Sequence, residues 1–205
     1  HQCDILLDQT FGRQQEDYLA LTPKGCELLL GSRYALLRPE FSKWRPYSIK
    51  RRSGLELKQL FINMGGVDID NVTEMVLDEL KICKLPNDLH IVVVMGSAAP
   101  YLESVKSKAI TLPCKTEIKV DVGNMAEIMA NSDIAIGAAG STTWELCCLG
   151  LPTIQIIIAK NQIFLAKTLA HHNIVKLVKE IKETIYLLEN SSEWMKSVSS
   201  SALEI

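Results

Sequence analysis

The stretch "DIAIGAAGSTTWELCCLGLPTI", residues 133–154, decides the fold. "DIAIG" is a short, nearly continuous apolar run, as expected of a strand buried on both faces. "AAG" reads as a turn. Ser141 or Thr142 then starts a helix, "TTWELCC", which runs into Gly150 and Pro152, a C-terminal glycine followed by a stop. "TIQIIIA", residues 153–159, is the next apolar run. Strand, helix and strand in so short a span make a βαβ unit, and such a unit pairs its strands in parallel.

The same alternation extends outward. Further strands are expected at residues 3–8 ("CDILLD"), 27–31, 59–66, 90–96 and 117–122. Helical patterns fall between them. In residues 70–83, Val72, Met75, Val76 and Leu80 share one face, and in "NMAEIMANS" Met125, Ile128 and Met129 do. "QIFLAKTLAHH" is a third amphipathic segment. From residue 59 to residue 172 the pattern is that of a doubly wound α/β sheet. Residues 41–54, "FSKWRPYSIKRRSG", are polar, basic and broken by Pro46 and Gly54, and read as the connection between two domains. Residues 1–54 would then be the end of a first α/β domain and its linker, and residues 55–205 a second. "CDILLD" reads as a strand in mid-fold, so the earlier part of the first domain is expected to lie outside this chain. Residues 181–205 read as a peripheral helix with a frayed, serine-rich tail.

Composition narrows the function classes. The 205 residues are 47% hydrophobic and carry 22 Lys+Arg against 24 Asp+Glu. That is enough apolar material for one or two cores. The balance offers no basic field for nucleic acid. The run "KRR" at Lys50 to Arg52 reads as a solvated linker face. The six cysteines form no CxxC pair and no zinc spacing, which suits free thiols in a reducing, cytoplasmic setting. No apolar run approaches the about 18 residues of a membrane span. No metal or other cofactor is expected.

Four turns carry chemistry. In "NMGGVD", residues 63–68, the glycines allow close backbone approach to a ligand; the plain alternative is a tight turn capped by Asp68 or Asp70. The spacing is neither GxGxxG nor a Walker A loop. In "GAAGSTTWE", Gly140, Ser141 and Thr142 offer N–H and O–H donors to a diphosphate, and Glu145 can accept from a ribose diol. The same residues match a capping box, Thr142-x-x-Glu145. In "AKNQ", Asn161 and Gln162 are amides placed to meet sugar groups, or Asn161 caps the next helix. "VDVGNM", residues 120–125, reads as a loop whose backbone faces a planar ring. His171 and His172 read as a helix C-cap, not as catalytic groups.

In this order the motifs resemble the nucleotide-binding domain of the glycosyltransferase family B (GT-B) fold, and residues 120–154 are similar to the donor site of the lipid II N-acetylglucosaminyltransferase. "CDILLDQTFGRQQEDY", "LLLGSRYALLRPEF", "MGGVD", "GAAGSTTWELCCLGLPT" and "KNQ" together resemble the UDP-sugar hydrolase family of pseudaminic acid biosynthesis. The resemblance covers roughly residues 3–175. It implies an incomplete N-terminal Rossmann-like domain followed by a complete C-terminal UDP-binding one. It implies an inverting hydrolysis that releases UDP from a UDP-linked 2,4-diacetamido-2,4,6-trideoxy sugar, with water as acceptor. It places Gly65, Gly66 and Asp68 at the diphosphate and sugar, Val122 and Met125 at the uracil, Gly140, Ser141 and Thr142 at the diphosphate, Glu145 at the ribose and Asn161 at the reacting sugar. The UDP-sugar is then the partner, with no nucleic acid and no membrane insertion; a monomer is slightly favoured. The family's water-activating histidine lies in a glycine-rich "GTGH"-like motif that this sequence does not contain, and Val67 replaces an expected Ser or Ala. A UDP-sugar glycosyltransferase and a non-catalytic UDP-binding module are the alternatives.

Overall fold

The computed structural model describes residues 2–52, 56–86 and 88–205. The domain boundary expected at residues 54/55 falls outside them, as does His1. Two parallel sheets form. A small one pairs β1 (Ile5–Asp8) with β2 (Glu27–Leu30). A larger one contains β3 (Gln59–Asn63), β4 (His90–Met95), β5 (Lys115–Val120), β6 (Ile134–Ala138), β7 (Thr153–Ile156) and β8 (Lys176–Val178), in the order β5-β4-β3-β6-β7-β8. The expected strands all form, with β3 and β7 each ending three residues earlier than expected, since residues 64–66 and 157–159 lie outside the strands. β8, only "KLV", was too short to give a signal.

The inner strands β3, β4 and β6 are covered on both sides, which is why they are apolar almost throughout, whereas the edge strand β5, "KTEIKV", is only half buried and carries Lys115, Glu117 and Lys119. Alternate residues take opposite faces. Leu60, Ile62, Ile91, Val93, Ile134, Ile136 and Ile154 pack with α2 (Val72–Ile82) and with Leu188 and Trp194. Phe61, Val92, Val94 and Ala135 pack the other way, against α4 (Met125–Ala130) and α5 (Thr142–Cys148). In α2 the buried stripe is Val72, Thr73, Val76, Leu77 and Leu80; Met75, placed on it by the sequence, is half exposed. A further helix, α3 (Leu102–Ala109), carries β4 to β5.

The chain is not broken at Pro46: Pro39–Arg51 is one helix, α1, with Pro46 inside it and Pro39 in its first turn, where a missing N–H costs nothing. Its inner stripe is Phe41, Trp44, Ser48 and Arg52, which is too polar to register as amphipathic. Nor is "KRR" a solvated face. Arg52, 7% exposed, donates to the carbonyls of Met129 (3.1 Å), Ser132 (2.5 Å) and Leu149 (3.2 Å), and to Ser48 Oγ. These carbonyls end α4 and α5, so one guanidinium closes two helix C-termini. Arg51 pairs with Asp133 at 2.6 Å, and Asp133 in turn accepts from the backbone N–H groups of Lys58 and Gln59 that begin β3.

The serine-rich end is not frayed either. After α6 (Ile163–His171) and β8 come α7 (Glu183–Glu189) and α8 (Ser191–Leu203). Trp194, Met195, Val198 and Ala202 of α8 are buried, and Ser199 donates to the Gly150 carbonyl at 2.7 Å. Among the described residues no helix is long and apolar enough to cross a membrane.

Candidate functional site

Every strand of the large sheet runs in the same direction, so all strand C-termini lie along one edge. The chain moves from β3 outward to β5, then returns to the other side of β3 with β6. That reversal is a topological switch point, where the loops after β3 and β6 part and leave a crevice. "NMGG" leaves β3 there, and "AAGST" leaves β6 there. Asn63 pairs with Gly137 across the switch point.

The β3 loop is rigidly braced. Asn63 donates to the Val94 carbonyl (2.8 Å), and the Gly65 N–H reaches the Asn63 amide oxygen. Gly65 has φ +91°, which favours glycine. Gly96, at the end of β4, lies so close to this loop that a Cβ would stand 2.3 Å from the Gly66 carbonyl oxygen. Asp68 is 5% exposed, and its two carboxylate oxygens accept from the N–H groups of Val72 and Thr73, each at 2.9 Å. Asp68 therefore caps α2 from within the loop, while Asn71 occupies the N-cap position itself.

The β6 turn behaves differently. Ser141 holds the N-cap position of α5, and no side chain caps that helix. The expected capping box is not formed: Glu145 turns to Arg38, whose Nη2 lies 3.4 Å away. Burial raises the Glu145 pKa, partly opposed by Arg38. Among the described residues the N–H groups of Ser141 and Thr142 have no acceptor, whereas that of Gly140 binds the Ala138 carbonyl. Asn161 is no cap either. It is exposed in a single 3-10 turn, Lys160–Gln162, after β7.

These loops border two adjoining clefts. One, of about 260 Å³, is lined by Gly140, Ser141, Trp144 and Asn161 together with Gln9, Thr10 and Arg13 from the loop after β1. The second, of about 460 Å³, is lined by Gly66, Val67, Asp68 and Ile158, and shares Gln162 with the first. The structure thus places Gly140, Ser141 and Asn161 on the first cleft and Gly66 and Asp68 on the second, with Thr142 and Gly65 next to them in the chain but lining neither. It does not bring Val122, Met125 and Glu145 into either cleft. Val122 and Met125 follow β5 and pack against the buried cluster that includes Phe41, Val94 and Met129, and Glu145 faces the start of α1. Asp121, at φ +48°, holds the loop beside Val122 by accepting from the Ser97 N–H (3.0 Å). Gln9, Thr10 and Arg13 were missed as cleft residues because they come from the loop after β1, remote in sequence.

Residues 60–202 match the glycosyltransferase family 28 C-terminal domain, and the chain belongs to that family. Its α/β architecture is that of the GT-B glycosyltransferases: the crystal structure of MurG from Acinetobacter baumannii superposes with a TM-score of 0.60 at 20% identity, over 76% of this chain and 47% of that one. In sequence, the chain is 32% identical over 162 residues to the UDP-2,4-diacetamido-2,4,6-trideoxy-beta-L-altropyranose hydrolase of Campylobacter jejuni, covering 79% of this chain and 55% of that protein. It is 29% identical over 141 residues to the spore coat polysaccharide biosynthesis protein SpsG of Bacillus subtilis, covering 68% of this chain and 40% of that protein. The chain thus spans roughly half the length of these relatives. The resemblance read from the motifs is borne out.

Proposed function

We propose that this chain carries the UDP-binding site of a hydrolase that releases UDP from a UDP-linked 2,4-diacetamido-2,4,6-trideoxy sugar, with water as acceptor. The observation that carries the reading is the meeting of two glycine turns, "NMGG" and "AAGST", at the switch point of a parallel sheet. The unpaired N–H groups of Ser141 and Thr142 face the diphosphate, and their hydrogen bonds strengthen as charge builds on the departing UDP. Gly65 and Gly66 let the backbone close on the phosphates without a side chain intervening. Asp68 shapes this loop, since both its oxygens are already engaged. Asn161, free of capping duty, reaches the sugar. Glu145 exchanges Arg38 for the ribose diol, and the loop around Val122 and Met125 receives the uracil. The relative from Campylobacter, by its name, acts on such a UDP-sugar.

One observation favours transfer to an acceptor other than water. Val67 and Ile69 stand 46% and 71% exposed beside the second cleft, an apolar rim that an acceptor could cover. The test is to titrate the folded chain with UDP and to follow UDP release from the sugar nucleotide by phosphorus NMR. Binding of UDP by the folded chain is expected, and, in a protein that also supplies the "GTGH"-like motif this sequence does not contain, one UDP freed per sugar in water alone. Release that begins only when a sugar or lipid acceptor is added would favour transfer. A folded chain that ignores UDP would overturn both readings.

A further inference from the structure

The segment "FGR", Phe11 to Arg13, lies against the crevice, and its three consecutive residues each seat on α6 or its cap. The Phe11 ring meets the His172 ring edge-on, with centroids 5.2 Å apart. Gly12, at φ +88°, approaches so closely that a Cβ would stand 3.0 Å from Thr168 Cγ2. The Arg13 guanidinium lies over the Phe164 ring, 4.5 Å from its centroid. Residues 164, 168 and 172 are four apart, so they form one stripe along the helix. The loop is therefore docked lengthwise on α6, and α6 begins directly after the "KNQ" turn of the site.

Docking leaves Arg13 with an unused hydrogen-bonding fork. Among the described residues its side chain makes no hydrogen bond. Asp8 and Asp17 stand 3.9 and 3.8 Å away, close enough to attract the charge and too far to accept a hydrogen bond. Its Nε is buried without an acceptor. An arginine carries five donors in a planar fork that matches phosphate oxygens. This one lines the same cleft as Gly140 and Ser141, whose turn already offers free N–H groups.

We propose that Arg13 is a diphosphate-binding residue, held ready by the "FGR" dock in the cleft that the β6 turn also lines. This rests on the UDP reading above. Asp8, Asp17 and Phe164 hold the guanidinium in place. When a diphosphate enters, the fork satisfies its donors on the phosphate oxygens.

The test compares UDP with uridine by calorimetry on the full chain, with Arg13→Gln, Arg13→Lys and Gly12→Ala, each checked for an unchanged near-UV circular dichroism spectrum. Arg13→Gln is expected to weaken UDP roughly tenfold to a hundredfold, as loss of a bidentate charged pair does, and to leave uridine unchanged. Arg13→Lys should fall between, since it keeps the charge and loses the fork. Gly12→Ala should weaken UDP with Arg13 still present, because the loop must lift from Thr168. An Arg13→Gln chain that binds UDP like the parent overturns the assignment, as does an equal loss for UDP and uridine. A folded parent that binds neither ligand overturns the UDP reading itself.

Discussion

Replacing Arg52 with Met keeps most of the buried volume and removes the guanidinium that closes α4 and α5. Three carbonyls lose a charged donor. Their loss is unequal. The Met129 carbonyl still accepts from the Ser132 N–H, and that of Leu149 still accepts from Ser48 Oγ at 2.7 Å. Only the Ser132 carbonyl is left with a marginal partner, Arg51 at 3.4 Å. Net hydrogen bonds to a charged group contribute about 1.5–3 kcal/mol each, and a carbonyl that keeps one partner loses only part of that. Against this, the variant no longer buries a cation, whose desolvation pushes the Arg52 pKa down to about 9. The balance is a loss of about 2–4 kcal/mol. For a chain of this size that lowers Tm by roughly 4–16 °C. Urea unfolding followed by far-UV circular dichroism reads it directly, with exposed Lys43→Met as the control, expected within about 0.5 kcal/mol of the parent. A loss below about 1 kcal/mol for Arg52→Met would refute the double-cap reasoning and make "KRR" the solvated run its composition suggested.

Three further outcomes are expected. Gly96→Ala forces a Cβ to 2.3 Å from a backbone oxygen, so the "NMGG" loop must shift; it should cost about 1–3 kcal/mol in denaturant unfolding, and an unchanged midpoint would contradict the braced loop. Asp68→Asn keeps one acceptor for the start of α2 and loses the charge facing two N–H groups; a loss of about 1–2 kcal/mol is expected by thermal unfolding, and none would mean the cap is idle. Burial, set against Arg38, holds the Glu145 pKa above the ordinary glutamate value of 4.5, so UDP affinity that depends on its ionised form should begin to fall above pH 4.5 as acid is added. The stability sign is opposite: ionised Glu145 costs stability above its folded pKa, and that cost vanishes as pH falls toward the unfolded value. Glu145→Gln should flatten both profiles, and identical pH profiles in the two proteins would sink the assignment.

Much of the large sheet was legible because doubly covered parallel strands must be apolar throughout, and "DIAIG" and "HIVVVMG" can hardly be anything else. The glycine turns were legible for a related reason: glycine followed by hydroxyl residues between a strand and a helix has few structural uses. What escaped notice depended on tertiary partners. The inner stripe of α1 ends in Ser48 and Arg52, which become core residues only because carbonyls of α4 and α5 meet them. α8 hides its buried face among serines, so Trp194, Met195 and Val198 looked too sparse to anchor it. The capping box failed because Arg38, more than a hundred positions earlier, competes for Glu145. Arg13 belongs to the same class. Its place in the cleft that Gly140 lines follows from docking on α6, which no local pattern in "FGR" announces.

The claim that a uridine diphosphate sits at the switch point is tested most directly by a crystal structure of the chain soaked with UDP. The expected result is a diphosphate within hydrogen-bonding distance of the Ser141 and Thr142 N–H groups, with Glu145 turned from Arg38 to the ribose. UDP ordered elsewhere, or an intact crevice that stays empty at saturating UDP, would contradict it.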